Sequence, residues 1–121
     1  MKDEFTYNLA RHGDIPVFHL NGSFDMNCKD EFQAEIESYL QNDKPQFVIF
    51  NLKGLEYIDS SALGVLVSVL KNLKSHSGDV YVTNVSDFIE EVFKRVRLDK
   101  YFIVMSSDLR AISEIRGKHN G

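Results

Sequence analysis

The stretch FVIFNLKGLEYIDSSALG, residues 47–64, decides the fold. It opens with four consecutive apolar residues, and a run without polar alternation predicts a central strand that is covered on both faces. Asp59 and Ser60 are residue types that often cap helices, and apolar residues recur at helical spacing after them. We therefore expect a buried strand over 46–51 and a helix from Asp59 or Ser60 to about Ser77.

Short apolar runs alternate with segments of helical period along the rest of the chain, which is typical of an α/β domain. The first two runs flank the turn Gly13-Asp14, which predicts an antiparallel hairpin. Helices separate the later strands, and such crossovers require parallel neighbours. The sequence therefore predicts a mixed, mostly parallel sheet with about four helices, in the order β-β-α-β-α-β-α-β-α.

The boundaries of the other elements follow from the same patterns. The predicted strands are 5–9, 15–20, 46–51, 80–82 and 102–104. The first two helices are predicted at 28–41 and 60–77. A capping box at Asp87 opens the third helix, which is predicted to bury Phe88, Ile89, Val92, Phe93 and Val96. The fourth is predicted to bury Leu109, Ile112 and Ile115.

The chain has 121 residues, of which 43% are hydrophobic and 26% are charged, and its net charge is -4. These values predict one globular domain over 1–121, with a core of about 5–115. No basic cluster supports nucleic-acid binding, and no apolar run approaches the roughly 20 residues of a membrane span. The polar start of the chain lacks the apolar region of a signal peptide, so we expect a cytoplasmic protein. We also expect a monomer.

Nothing in the sequence predicts catalysis or a cofactor. The four histidines show no metal-ligand spacing, and the single cysteine, Cys28, excludes an internal disulfide and a thiol zinc site. Neither the glycine-rich loops that bind nucleotide phosphates nor the nucleophile elbow of hydrolases is present. Cys28 falls on the inward side of a predicted helix, so we interpret it as a core residue. We therefore expect a binding protein rather than an enzyme, with no metal and no cofactor.

The start of the second helix carries the residues best suited to a function. Asp59, Ser60 and Ser61 lie where free N–H groups meet the positive end of the helix dipole. One interpretation is plain capping, and the other is an anion site or phosphorylation site. Asp25 follows the second strand and is expected near Asp59, either as a cap or as a group that orients a partner.

Two motifs of this sequence can be compared with known families. The first is the apolar strand with the turn Tyr57-Ile58-Asp59-Ser60-Ser61-Ala62-Leu63-Gly64. The second is Gly22-Ser23-Phe24-Asp25, after the second strand. Together they resemble the STAS family, and in particular its small single-domain bacterial anti-sigma factor antagonists. The likeness covers roughly 5–115. The sequence departs from the family pattern at Ser23, Asn51, Ala62 and Arg97, where glutamate, aspartate, glycine and glycine are usual.

The resemblance implies partner switching. In that family the unphosphorylated antagonist binds an anti-sigma factor, which is itself a serine kinase of the GHKL ATPase type, and so frees the sigma factor. The kinase phosphorylates the serine directly after the motif aspartate, which ends the complex, and a PPM-type phosphatase resets the antagonist. By position the acceptor here is Ser60, with Ser61 as the second choice. The alternative is a STAS module without phosphorylation, a scaffold or ligand-binding subunit of a stressosome-like or lipid-transport assembly.

Two valines of the second helix, Val65 and Val69, fall off its predicted inward stripe. Either a neighbouring helix half covers them, or they join Met26 and the loop around Asp25 in a docking surface for the kinase. On the second interpretation, Val65→Glu abolishes partner binding and leaves the fold intact. The expected partner-binding residues are Asp25, Met26, Asp59, Ser60, Ser61, Ala62, Val65 and Val69.

Overall fold

The computed structural model describes residues 3–120, and the side chains of 3–118. Within that range, nine elements follow the predicted order. The strands are β1 (Thr6–His12), β2 (Ile15–Phe24), β3 (Phe47–Ile58), β4 (Asp79–Thr83) and β5 (Ile103–Met105). The helices are α1 (Lys29–Asp43), α2 (Ser60–Lys74), α3 (Asp87–Arg95) and α4 (Asp108–Asn120). The predicted α/β fold class is confirmed.

The five strands of the described chain form one sheet in the order β1-β2-β3-β4-β5. β1 and β2 are antiparallel across the two-residue turn Gly13-Asp14, where Gly13 has a φ of 65° that favours glycine. β2, β3, β4 and β5 are parallel neighbours, as expected of strands that helices connect. The predicted mixed, mostly parallel sheet is therefore confirmed.

Helices pack on both faces of the sheet. The larger core lies between the sheet and α1, α2 and α3, and it includes the fully buried Phe50, Leu66 and Phe93. The smaller core lies under α4, where Ile115 and Tyr81 are fully buried. The first part of β3 is buried on both faces, which is what its continuous apolar run predicts.

β2 and β3 both extend beyond their predicted ends and pair with each other there. Phe24 lies opposite Ile58, after two shifts of register along the pair. Gly54 lies opposite Asn21 in this pairing, and a Cβ atom at Gly54 would lie 2.1 Å from Asn21 Oδ1, so a larger residue there would displace the Asn21 side chain. The segment 52–58, for which the sequence predicted neither strand nor helix, is therefore strand.

Two helix starts differ from their predicted positions. α1 begins at Lys29, so Cys28 occupies its N-cap position, where it is half-buried and packs against the larger core. The N-cap of α3 is Ser86 and not Asp87. The Ser86 hydroxyl accepts a hydrogen bond from Ile89 N at 3.2 Å.

Three apolar residues that were predicted to face inward are exposed. The exposed fractions of Phe88, Val96 and Leu109 are 53%, 38% and 74%. The buried side of α3 follows Ile89 and Phe93, which are one helical turn apart, and Phe88 lies one position off it. Val96 lies just beyond α3, and Leu109 lies in the first turn of α4.

The structure shows the surroundings of Asn51 and the backbone conformation of Arg97, two residues that depart from the usual STAS pattern. The side-chain amide of Asn51 donates to Asp108 Oδ2 at 2.9 Å, and the Thr83 hydroxyl donates to the other oxygen of the same carboxylate. An aspartate at position 51 would place two carboxylates in contact, so asparagine suits the presence of Asp108. Arg97 has a φ of 60°, in the left-handed region that favours glycine.

Candidate functional site

The loops that follow β2 and β3 lie side by side at one end of the sheet. Phe24 and Ile58 are the last residues of these parallel strands, and they lie opposite each other. The two segments remain hydrogen-bonded just beyond the strands, because Asp59 N donates to Phe24 O at 3.3 Å. The loops that carry Asp25 and Asp59 are therefore neighbours, as the sequence predicts.

Asp59 caps α2 and also ties the two loops together. Its Oδ1 accepts hydrogen bonds from Ala62 N at 2.9 Å and from the Ser61 hydroxyl at 2.8 Å. Its Oδ2 accepts a hydrogen bond from Met26 N, in the other loop, at 3.0 Å. The capping interpretation is correct for Asp59, and the same carboxylate holds the loop after β2 in place.

The surroundings of Asp59 favour its charged form. Partial burial by itself raises the pKa of this carboxyl, but hydrogen bonds from Ala62, Ser61 and Met26 outweigh that effect and hold the pKa below its usual value. A carboxyl whose pKa is lowered in the folded state adds stability above its unfolded pKa. That stability is lost as the pH falls through the folded pKa, so acid weakens the tie between the loops.

We expect Asp59→Asn to lower the free energy of unfolding at pH 7 by about 1 to 2 kcal/mol. The amide removes the negative charge and one of the two acceptor oxygens. Wild type loses this stabilisation as the pH falls below the usual carboxyl pKa of 3.8 and through the lower folded pKa of Asp59, so the difference between the two proteins should be smaller at pH 3 than at pH 7.

Urea unfolding of both proteins at pH 7, 5 and 3 measures this difference in stability. Asp99→Asn is the matched control, because Asp99 is exposed in the loop between α3 and β5. It should leave the stability unchanged within about 0.5 kcal/mol. A deficit of Asp59→Asn that stays constant from pH 7 to pH 3 would contradict the role assigned to the charge.

The two serines of the motif have different environments. The Ser60 side chain is exposed, and its hydroxyl makes no hydrogen bond to any residue that the structure describes. Ser61 is half-buried, and its hydroxyl donates to Asp59 Oδ1. Ser60 is therefore the serine whose hydroxyl is available to an incoming group.

The N-terminus of α2 is suited to an added anion. The helix has 15 residues, and no acidic residue lies in its first turn. Its dipole and the N–H groups of the first turn favour negative charge there by about 0.3 to 1 kcal/mol. We therefore expect the fold to accept a phosphate on Ser60, although the cap Asp59 is itself negative.

The loop after β2 presents Met26 to solvent. The Met26 side chain is 67% exposed, and Asp25 Oδ1 accepts a hydrogen bond from Asn27 N at 2.9 Å. Burial raises the pKa of the adjacent Cys28 thiol, so this cysteine is protonated and poorly nucleophilic at neutral pH. Sequence reasoning selected Met26 for its side chain and missed the contact of its backbone N–H with Asp59.

Three residues that were expected to contact a partner have buried side chains. Ala62, Val65 and Val69 are 0%, 2% and 1% exposed. α1 lies beside α2, and Val69 lines the cleft between them together with Leu40 of α1. The prediction that the two valines lie outside the buried side of α2 is wrong. The Ala62 methyl packs in the core, so it does not stand beside the Ser60 hydroxyl.

An exposed aromatic residue near the motif escaped the sequence analysis. Phe88 of α3 stacks on Tyr57, with the ring centroids 6.4 Å apart, and Tyr57 lies two residues before Asp59. The signal that could have revealed it is the helical period, because Phe88 lies one position off the repeat of Ile89 and Phe93 that α3 buries.

Within the described residues, no group of three or more His, Cys, Asp or Glu side chains is placed to hold a metal ion. The side chain of His119, one of the four histidines weighed above, lies outside the described residues. Over the same part of the chain, every helix is too short or too polar to cross a membrane.

Comparison with known proteins shows the family. An anti-sigma F factor antagonist of Paenibacillus polymyxa is 22% identical over 107 residues, which cover 88% of this chain and 92% of that protein. The structure of the anti-sigma factor antagonist SpoIIAA in its unphosphorylated form matches with a TM-score of 0.82 and 22% identity, over 93% of this chain and 97% of that one. The phosphorylated form of the Bacillus SpoIIAA matches with a TM-score of 0.72 and 21% identity, over 91% and 99%. The model of the STAS domain matches residues 6–112, and the chain belongs to that family.

Proposed function

We propose that this chain is an anti-sigma factor antagonist that works by partner switching. In its unphosphorylated state it binds an anti-sigma factor that is itself a serine kinase of the GHKL type, and the sigma factor is released. Phosphorylation of Ser60 ends this binding, and a PPM-type phosphatase restores it. The chain acts in the cytoplasm as a binding protein and a kinase substrate, and not as an enzyme.

The observation that carries the proposal is the exposed hydroxyl of Ser60 at the start of α2. It is free of hydrogen bonds within the described chain, whereas the neighbouring Ser61 hydroxyl is held by Asp59. The relative from Paenibacillus polymyxa is an anti-sigma F factor antagonist, which supports the class of partner. The SpoIIAA structures, one unphosphorylated and one phosphorylated, support such a modification in a protein of this fold.

The proposed reaction is an ordinary phosphoryl transfer. Ser60 Oγ attacks the γ-phosphorus of ATP that the kinase holds, the bond from that phosphorus to ADP breaks, and the hydroxyl proton passes to a base of the kinase. The product carries about -1.5 to -2 charge next to Asp59.

The proposed docking surface consists of Asp25, Met26, Asp59, Ser60 and Ser61. Met26 supplies an exposed apolar side chain, and its backbone N–H donates to Asp59, the residue before Ser60. A phosphate on Ser60 would bring a second strong negative charge next to Asp59 inside the interface, where repulsion and desolvation both oppose binding. The fold itself should persist, because Asp59 and not Ser60 caps the helix.

We expect Ser60→Ala to form a complex with the anti-sigma factor that resists ATP. The experiment uses the kinase that copurifies with the wild-type chain from its native cells. Size-exclusion chromatography before and after addition of ATP and Mg²⁺ measures the complex. Wild type and Ser61→Ala should dissociate, whereas Ser60→Ala should remain bound because it lacks the acceptor oxygen. If ATP releases Ser60→Ala and phosphate appears on Ser61, the switch is Ser61 and not Ser60.

A further inference from the structure

A groove runs between the edge strand β1 and helix α1. Two cavities, of about 340 and 670 Å³, lie along it and share Tyr7 and Glu35 in their linings. The larger cavity is also lined by Leu9, and the smaller one by Phe32. The Tyr7 and Phe32 rings meet edge to face, with their centroids 4.9 Å apart. The β1–α1 groove, defined by these two linings, therefore has an aromatic floor.

The outer edge of β1 offers backbone groups to the same groove. β1 is the first strand of the sheet, so no described strand pairs with this edge. His12 and Ile15 close a two-residue turn, and the closing pair of such a hairpin exchanges backbone hydrogen bonds. Along β1 the outward N–H and C=O groups then belong to Tyr7, Leu9 and Arg11, which also line the groove. A segment bound there as an added strand would pair with these three residues.

The groove carries a net negative charge. Its linings contain Glu4, Glu31, Glu35 and Asp43, and a single basic residue, Arg11. Arg11 is already paired with Asp43, at 3.0 Å. The three glutamates make no salt bridge to any cation of the described chain. Glu35 Oε1 accepts a hydrogen bond from the Tyr7 hydroxyl at 3.0 Å, and the negative charges of the three glutamates remain without a cation of the described chain.

The spacing of two of these glutamates matches a strand. Glu31 and Glu35 are one turn apart on α1, which is about 6 Å along the helix axis. Side chains on the same face of a strand repeat every two residues, which is about 6.6 Å. Two basic residues separated by one residue could each reach one of these carboxylates, and the aromatic floor adds a favourable surface for cations.

We infer that the β1–α1 groove binds an extended segment of a partner protein that carries basic side chains at alternate positions. The segment lies beside β1 as a sixth strand, with its basic side chains towards Glu31 and Glu35. A second copy of this chain is not the occupant, because pairing β1 with itself would bring two acidic grooves together. This surface is separate from Ser60, so it adds a second contact to the proposed function.

The test measures binding of a defined peptide to the full chain. The probe is a fluorescein-labelled octapeptide of alternating valine and lysine, and its control carries glutamate in place of lysine. Fluorescence anisotropy should show saturable binding of the lysine peptide and none of the glutamate peptide. Amide NMR shifts caused by the lysine peptide should be largest at Tyr7, Leu9 and Arg11.

A matched pair of variants separates the groove from bulk charge. Glu31→Lys should weaken binding of the lysine peptide about tenfold, because it replaces attraction with repulsion. Glu37→Lys makes the same charge change on the same helix but lies in the cleft against α2, and it should change the affinity less than about twofold. Thermal melts check that both variants remain folded, since both positions are exposed.

Four results would overturn the inference. The first is a wild-type chain that does not bind the lysine peptide. The second is equal weakening by Glu31→Lys and Glu37→Lys, which would show that net charge alone sets the affinity. The third is a set of NMR shifts centred away from β1. The fourth is a dimer in sedimentation whose β1 edge the peptide cannot enter.

Discussion

Val65→Glu should remove most of the folding free energy of the domain, a loss of about 4 kcal/mol or more. Val65 is 2% exposed and belongs to the core under α2, so a glutamate there has no water and no cationic partner. Burial raises the pKa of such a carboxyl, so the variant should be least stable at high pH, where the charged form predominates. Loss of partner binding in this variant would then report unfolding, and not a lost contact.

Gly64→Glu is the control for this prediction. Gly64 is the preceding residue of α2, it is exposed, and a Cβ atom there would meet nothing within 4 Å. That variant should match or exceed wild type in stability, because glycine in a helix costs about 1 kcal/mol relative to a better helix former. Circular dichroism and urea unfolding compare the two variants. If Val65→Glu is as stable as wild type in urea, the result contradicts the burial of the Val65 side chain.

Ser60→Asp should weaken binding to the anti-sigma factor about a hundredfold, which corresponds to about 2.8 kcal/mol. The substitution places a carboxylate beside Asp59 at the centre of the proposed docking surface, where it must be desolvated against a charge of the same sign. The stability of the free protein should change little, because the dipole of α2 offsets part of the repulsion.

Isothermal titration calorimetry with the purified anti-sigma factor measures this effect. Ser113→Asp makes the same chemical change at an exposed position of α4, on the opposite face of the sheet, and should bind like wild type. Ser60→Ala should also bind like wild type, since it adds no charge. If Ser60→Asp and wild type bind the anti-sigma factor with equal affinity, a negative charge at Ser60 does not control this binding.

The order of elements could be predicted because each element carries its own period. The apolar run at the start of β3 and the N-cap of α2 are local signals, and the structure has both, with Asp59 as the cap, although α2 ends at Lys74 and not near Ser77. The neighbouring positions of the loops after β2 and β3 also followed, because parallel strands end at the same edge of a sheet. These inferences placed Asp25, Asp59 and Ser60 together before any contact was known.

The features that were missed depend on tertiary contacts. The burial of Val65 and Val69 does not follow from the helical period of α2, and Val69 lies in the cleft that α1 and α2 form together. The extension of β3 to Ile58 depends on pairing with β2 across two register shifts, which no local pattern encodes. The contact of Met26 N with Asp59 joins residues 33 positions apart. Sequence patterns describe one element at a time, and these three features lie between elements.

The central claim is that Ser60 is reversibly phosphorylated, and mass spectrometry of the chain isolated from its native cells tests it most directly. Trypsin releases residues 54–71 as one peptide that holds both Ser60 and Ser61, and fragmentation separates the two sites. We expect a phosphate on Ser60 whose occupancy changes between growth and stress. A peptide that stays unphosphorylated under both conditions, while the chain remains in a stable complex in the same extract, would contradict the switch and favour a scaffold without phosphorylation.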